Sequence, residues 1–193
     1  MIVEFAGLSG SGKSTVVRAL SSEPDVSVVS IPSRIRLIAY GVMFAIGRPR
    51  AALCLIRSIM KEPRALWRLL FLNAFLVPAA KYERARRIRA PFVLIDQGFA
   101  QTHLSLREAP SGLPFADAVV IGTVDEDTQR TRLDSRGYSP RAQEGDAAAF
   151  LALQRERLPR LSSVLDDAGV PRYDLSVFAR TSGAWRRVLV SHT

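Results

Sequence analysis

The chain has 193 residues and a mass of 21.3 kDa, the size of one folded domain, so we predict a single domain over residues 1–193. Apolar residues make up 48% and charged residues 23% of the sequence, a composition that excludes a disordered chain. The net charge of +9 favours anionic partners, and the single cysteine, Cys54, excludes an internal disulfide.

Two features of the sequence predict where the protein is located. Residues 1–5 lack the basic start of a secretory signal, and the longest uncharged stretches, residues 37–47 and 69–80, are too short to span a bilayer. A single cysteine also suits a reducing compartment. We therefore expect a cytoplasmic protein without a transmembrane helix.

A glycine-rich motif follows the first strand-like run, residues 2–6, and precedes a helix-compatible stretch. It reads G-x-x-x-x-G-K-[ST], and its glycines let a phosphate chain lie against backbone N–H groups that no side chain covers. The motif predicts that Lys13 contacts the terminal phosphates of ATP and that Ser14 offers a hydroxyl to Mg²⁺. The predicted ATP-binding residues are Gly7, Ser9, Gly10, Ser11, Gly12, Lys13, Ser14 and Thr15.

Strand-like and helical segments alternate along the rest of the chain. The further predicted strands are residues 26–31, 91–96, 118–121 and 172–175, and the predicted helices are 14–20, 98–107, 125–135 and 146–168. The longer strands are nearly all apolar, which is typical of parallel strands buried on both faces. This alternation predicts a three-layer α/β P-loop NTPase fold, with a five-stranded parallel sheet and helices on both of its faces.

Positive charge is concentrated in residues 34–89, which contain eleven arginines, two lysines and two glutamates, for a net charge of +11. We predict a helical insert there, with Leu53, Ile56 and Met60 on its apolar face and a break at Pro63. Two interpretations stay open: a solvated face on helices that pack onto the sheet, or a surface for an anionic acceptor or a membrane. The predicted basic face comprises Arg50, Arg57, Lys61, Arg64 and Arg68.

The P-loop, Asp96 at the end of the third strand and the arginine-bearing segment after the fourth strand together resemble the P-loop kinases of the nucleoside-monophosphate-kinase superfamily, thymidylate kinases most closely. The resemblance implies that Asp96 helps to bind Mg²⁺ and the acceptor, and acts as the base. It also implies a lid over residues 130–145 that brings Arg132 and Arg136 to the transferred phosphoryl group, with Arg132 also contacting the nucleotide. The predicted catalytic residues are Lys13, Asp96, Arg132 and Arg136, and the predicted metal ligands are Ser14 and Asp96.

Two positions depart from the thymidylate kinase pattern. Gln97 follows Asp96 where the family has a basic residue, and residues 30–36 lack the glutamate of the Arg-Glu-Pro element that contacts the acceptor nucleotide. Neutral amides suit an acceptor rich in hydroxyls, whereas arginines suit a phosphate. A nucleoside monophosphate, a sugar or natural-product polyol and a lipid-linked acceptor therefore stay open. The predicted acceptor-binding residues are Arg34, Arg36, Gln97 and Gln101.

The leading hypothesis is an ATP- and Mg²⁺-dependent kinase that transfers the γ-phosphoryl group to a small molecule. The alternative is a non-enzymatic nucleotide-binding regulator whose basic segment binds nucleic acid or a membrane. The regulator is disfavoured because the chain lacks the Asn-Lys-x-Asp motif of GTPases and the signature of transporter ATPases. Nucleic acid is disfavoured because no aromatic residues suited to base stacking alternate with the arginines. Peripheral membrane contact and a homodimer stay open.

Overall fold

The computed structural model describes residues 1–31, 33–108, 110–135, 147–180, 185–186 and 189. It contains the parallel strands β1 (Ile2–Gly7), β2 (Val26–Val28), β3 (Phe92–Asp96), β4 (Ala118–Gly122) and β5 (Arg172–Asp174). They form one sheet in the order β2-β3-β1-β4-β5. Phe5 pairs with Asp96 and Gly7 with Gly122, so the carboxyl ends of the three central strands meet at one edge. The predicted five-stranded parallel sheet is confirmed, although β2 ends three residues earlier than predicted.

Helices cover both faces of the sheet. They are α1 (Lys13–Leu20), α2 (Arg34–Gly47), α3 (Pro49–Met60), α4 (Trp67–Leu70), α5 (Val77–Ala85), α6 (Phe99–Ser105), α7 (Glu126–Asp134), α8 (Ala147–Asp167) and α9 (Leu175–Arg180). On one face Val3 and Phe5 pack with α1, α9 and Trp185, and on the other Ala6 packs with α6 and α8. Alternate residues of β1 are therefore buried in different cores, as the period of two in a strand requires.

Residues 34–89 form the predicted helical insert, with a core of its own around Phe44 and Phe75 that also includes Phe99 of α6. The predicted break is confirmed, since α3 ends at Met60 and a 3₁₀ turn begins at Arg64, just after Pro63. A π-helical turn, Phe71–Leu76, joins α4 to α5.

The predicted apolar face of α3 is wrong by one residue. Leu53 and Met60 are 54% and 58% exposed, whereas Ala52, Leu55 and Ile59 are buried. A shift of one residue rotates a helix by about 100°. The small side chains of Ala51 and Ala52 are buried in the core around Phe44, and two branched apolar residues complete the buried face.

No single helix in the described part of the chain is both long and apolar enough to cross a membrane. Taken together, α2 and α3 have a suitable length and composition, but the pair is bent by 113° at its junction.

His103 of α6 generates a prediction about stability at low pH. The imidazole is 3% exposed, packs 5.3 Å from the ring of Phe115, and has no hydrogen-bond partner among the described residues. Burial, with a smaller effect of Arg160, lowers its pKa from 6.5 to about 4. The unfolded chain therefore binds a proton that the folded chain excludes, and stability is lost as the pH falls through 6.5 towards 4.

We expect His103→Leu to remove this contribution, which amounts to about 3 kcal/mol at the acidic end. Urea unfolding of the parent and the variant at a series of pH values measures it. The parent should lose more stability than the variant on acidification, and parallel pH profiles would contradict the assignment.

Candidate active site

The P-loop follows β1 at the carboxyl edge of the sheet. Gly7 has a φ of +126°, and a Cβ at this position would lie 2.2 Å from the carbonyl oxygen of Gly122. The neighbouring Leu8 N–H donates to the same oxygen at 2.8 Å. Only glycine therefore lets the loop leave β1 so close to β4, and this contact fixes where the loop's backbone N–H groups begin.

The Lys13 ammonium lies inside the loop. It donates to the carbonyl oxygens of Gly7 at 3.1 Å and Leu8 at 2.7 Å, and to Ser11 Oγ at 3.3 Å. Lys13 is 5% exposed, and burial lowers its pKa to about 8, against the opposing effect of the Asp96 charge. To contact a phosphate, this side chain must leave the carbonyl oxygens that now accept its hydrogen bonds.

Ser14 and Asp96 face each other across the end of the sheet. Ser14 Oγ donates to Asp96 Oδ2 at 2.8 Å, and both Ser14 and Thr15 are exposed in the first turn of α1. Asp96 Oδ1 is buried and has no hydrogen-bond partner among the described residues. A hydroxyl and a carboxylate oxygen are ligands that Mg²⁺ accepts, so these two residues could hold the predicted metal ion.

The turn after Asp96 is held by a lysine that sequence analysis did not identify. Lys81 of α5 donates to the main-chain oxygen of Asp96, and to that of Gln97 at 3.4 Å. Burial lowers the pKa of Lys81, while the charges of Asp96 and Glu4 oppose this effect. Gln97 has a φ of +60°, which L-residues rarely adopt, so these bonds support a strained backbone.

Glu4 is the second buried charge missing from the sequence analysis. This β1 residue is 2% exposed and accepts hydrogen bonds from the backbone N–H groups of Gly98 at 3.0 Å and Gln101 at 3.1 Å. Burial raises its pKa to about 7, and the backbone hydrogen bonds and Lys81 oppose that rise. A carboxylate within an apolar strand is the signal that could have identified Glu4; Lys81 belongs to no motif.

The predicted acceptor residues occupy different positions. Gln97 has an exposed side chain beside Asp96, whereas Gln101 accepts a hydrogen bond from the Gly7 N–H at 3.0 Å through its Oε1. Arg34 and Arg36 lie in the exposed first turn of α2, and no hydrogen bond or ion pair joins them to the described P-loop residues or Asp96. The structure thus brings both glutamines to the site and leaves both arginines without a hydrogen bond or ion pair to its described residues.

The opposite side of the P-loop contacts α7 and α8. Arg132 donates to the Gly10 carbonyl oxygen at 2.9 Å, so this predicted residue lies at the loop. Buried Gln129 donates to the Ser9 carbonyl oxygen at 2.9 Å, and Gln154 accepts from the Ser9 N–H at 3.2 Å. The predicted lid, residues 130–145, is described only as far as residue 135, and Arg136 lies outside the described residues.

Comparison with solved structures finds the same architecture in deoxyadenosine kinase from M. mycoides. Its structure with bound dATP has a TM-score of 0.55 and 11% sequence identity, over 99% of this chain and 97% of that one. Its structure with the products dCMP and a flexible dCDP has a TM-score of 0.54 and 13% identity, over 90% and 89% of the two chains. This chain therefore shares the α/β P-loop fold of those two structures. No protein-family model matches the sequence, and no curated protein matches it.

Removal of the Lys81 ammonium is expected to destabilise the site, because it leaves buried Glu4 and the Asp96 turn without their cation. We predict that Lys81→Met lowers the free energy of unfolding by about 2 kcal/mol, measured in urea. The control is Lys61→Met, because Lys61 is an exposed lysine paired only with Glu108 in the described chain. The double variant with Glu4→Gln should cost less than the sum of the single changes; strict additivity would show that the two groups do not interact.

The burial of Lys13 predicts proton uptake on ATP binding. Phosphate contact will raise its pKa above the present value of about 8, so above pH 8 a fraction of the protein must gain a proton when ATP binds. Isothermal titration in buffers of different ionisation enthalpy measures this uptake. Lys13→Met should abolish it and weaken ATP binding at least about tenfold, because one charged contact with phosphate is lost. Equal uptake by the parent and the variant would contradict the role of Lys13.

Proposed function

We propose that the protein is an ATP- and Mg²⁺-dependent phosphotransferase that acts on a nucleoside or a nucleoside monophosphate. The observation that carries the proposal is the hydrogen bond of 2.8 Å between Ser14 of the P-loop and Asp96 at the end of the neighbouring strand. This contact supports the proposal, because a carboxylate beside the P-loop is suited to the point where a transferred phosphoryl group would meet its acceptor. The deoxynucleoside kinase fold, shared over nearly the whole chain, supports the nucleoside class of acceptor.

ATP binding is assigned to the P-loop and its neighbours. The Leu8 and Ser9 N–H groups already donate to Gly122 and Gln154, so the donors that we assign to phosphate oxygens are the N–H groups of Gly10 and Gly12 and those at the start of α1. Lys13 would exchange its three present acceptors for phosphate oxygens, and Arg132 would move from the Gly10 carbonyl oxygen to the nucleotide. The protein therefore already places both cations beside the loop before the nucleotide arrives.

Ser14 and Asp96 would hold Mg²⁺ through a hydroxyl and a carboxylate oxygen, directly or through water. When bound, the ion neutralises charge on the phosphate oxygens. The unpartnered Asp96 Oδ1 supports this assignment, because a buried carboxylate oxygen without a hydrogen bond is costly unless a ligand satisfies it.

Asp96 also supplies the base when the acceptor is a hydroxyl. The acceptor oxygen forms a bond to the γ-phosphorus, the bond from that phosphorus to the ADP oxygen breaks, and the hydroxyl proton passes to the Asp96 carboxylate. A phosphate acceptor is already ionised near neutral pH and needs no base. The importance of Asp96 for turnover therefore depends on which of the two acceptors is used.

Lys81 is a positioning residue in this account. Its hydrogen bonds to the main-chain oxygens of Asp96 and Gln97 fix the strand end, and Glu4 fixes the next turn through the Gly98 N–H. Its ammonium also brings positive charge to the position after Asp96, where Gln97 has none. The neutral, exposed amide of Gln97 supports recognition of acceptor hydroxyls, so a sugar or other polyol is the second candidate acceptor.

An ADP-release assay tests the proposal, with Mg²⁺ and three panels of acceptors: deoxynucleosides, nucleoside monophosphates, and sugars with aminoglycosides. We expect a member of the first or second panel to stimulate ADP release. Stimulation by the third panel alone would reject the nucleoside class, and the absence of ATP binding in a parallel titration would reject the phosphotransferase.

Asp96→Asn is the decisive variant in the same assay. With a hydroxyl acceptor, turnover should fall about 100-fold or more while ATP affinity changes little, because the P-loop backbone supplies most of the phosphate contacts. Asp166→Asn is the matched control, since Asp166 is an exposed α8 residue paired with Arg172. A variant that loses ATP affinity but keeps its turnover at saturation would contradict the role assigned to Asp96.

A further inference from the structure

Helix α2 is apolar on both of its sides, yet only one side is covered. Gly41 and Phe44 are its buried residues, and Gly41 is where a Cβ would lie 2.6 Å from the Leu76 side chain. The opposite side contains no charged residue between Arg36 and the end of the helix. A helix that is apolar all round is normally buried all round, so the outer side of α2 lacks a partner among the described residues.

The uncovered side forms one continuous stripe. Ile35 is 81% exposed and Ile46 is 76% exposed. From Ile35, the exposed Ile38, Val42 and Ile46 follow at spacings of three, four and four, which places them on one helix face. Met43 lies beside Val42 at the edge of this face. Arg34 and Arg36 flank the start of this stripe. The exposed apolar residues of the stripe are Ile35, Ile38, Val42, Met43 and Ile46.

On the exposed face of helix α3, arginines alternate with apolar residues. Arg50, Leu53, Arg57 and Met60 are exposed and recur at spacings of three, four and three, so they share one face of the helix. No ion pair joins either arginine to the described part of the chain. We use "the α2–α3 face" for the α2 stripe together with Arg34, Arg36 and these four residues.

We propose that the α2–α3 face docks on an anionic lipid bilayer. The aliphatic side chains of α2 would enter the boundary between headgroups and acyl chains, and the arginines would contact lipid phosphates. The bend of 113° between the two helices favours a position along the membrane surface over one that crosses it. The net charge of +11 on residues 34–89 gives the attraction to acidic headgroups that one apolar stripe alone would lack.

Charge favours a bilayer over a second copy of the chain. In a two-fold pair, parallel or antiparallel α2 helices would bring arginines at their ends against arginines of the other copy. Acidic lipid phosphates would instead neutralise these arginines.

Vesicle flotation with the full chain tests the proposal, with vesicles of phosphatidylcholine alone or with about one third phosphatidylglycerol. We expect binding to the acidic vesicles only, and its loss in about 1 M salt. The double variants Ile35→Ser/Ile46→Ser and Arg50→Gln/Arg57→Gln should each weaken binding at least about tenfold, since one removes buried apolar area and the other removes charge. Arg18→Gln/Arg172→Gln makes the same charge change elsewhere and should bind as the parent does.

The outcomes separate this proposal from the alternatives and from the proposed function. All the substituted residues are exposed, so circular dichroism of the variants should match the parent. Failure to bind acidic vesicles overturns the proposal, and so does equal weakening by the control variant. A concentration-dependent dimer in analytical ultracentrifugation that Ile35→Ser/Ile46→Ser disrupts, without vesicle binding, would assign the face to a second copy. None of these results depends on ATP binding, which tests the kinase separately.

Discussion

The buried carboxylate of Glu4 is the interaction on which the geometry of the site depends. It lies at the centre of the sheet and accepts hydrogen bonds from the backbone N–H groups of Gly98 and Gln101, which fixes the start of α6. Gln101 in turn accepts a hydrogen bond from the N–H of Gly7, so the P-loop and α6 share one support. A Cβ on Gly98 would lie 2.7 Å from Glu4 Oε2, which is why this turn requires glycine.

Lys81 connects Glu4 to Asp96, the residue to which we assign the chemistry. Its ammonium interacts with the charges of Glu4 and Asp96 and bonds the main chain of the strand end. Because Glu4 is buried and Lys81 is half-buried, loss of the ammonium leaves the Glu4 carboxylate without an opposite charge, and loss of the carboxylate does the same to the ammonium. The orientation of Asp96 towards Ser14 therefore depends on a helix of the basic insert, and this dependence gives part of that insert a role beyond its surface charge.

The sequence predicted those parts of the molecule that follow from local rules. The P-loop, the apolar strands and Asp96 at a strand end follow from glycine spacing and from the pattern of parallel strands, and the structure brings Asp96 next to the P-loop. The buried side of α3 did not follow, because a shift of one residue, which rotates the helix by about 100°, depends on how Ala51 and Ala52 pack in the core around Phe44. Lys81 and the contact from Gln101 to Gly7 could not be read from the sequence, because each depends on how separate elements pack.

The central claim is that phosphoryl transfer takes place between the P-loop and Asp96, and a crystal structure with a non-hydrolysable ATP analogue and Mg²⁺ tests it most directly. We expect the triphosphate along the P-loop, with Lys13 Nζ moved from the carbonyl oxygens of Gly7 and Leu8 to phosphate oxygens and the metal beside Ser14 and Asp96. A structure in which the analogue binds elsewhere, or in which Lys13 keeps its present hydrogen bonds with the nucleotide bound, would contradict the account.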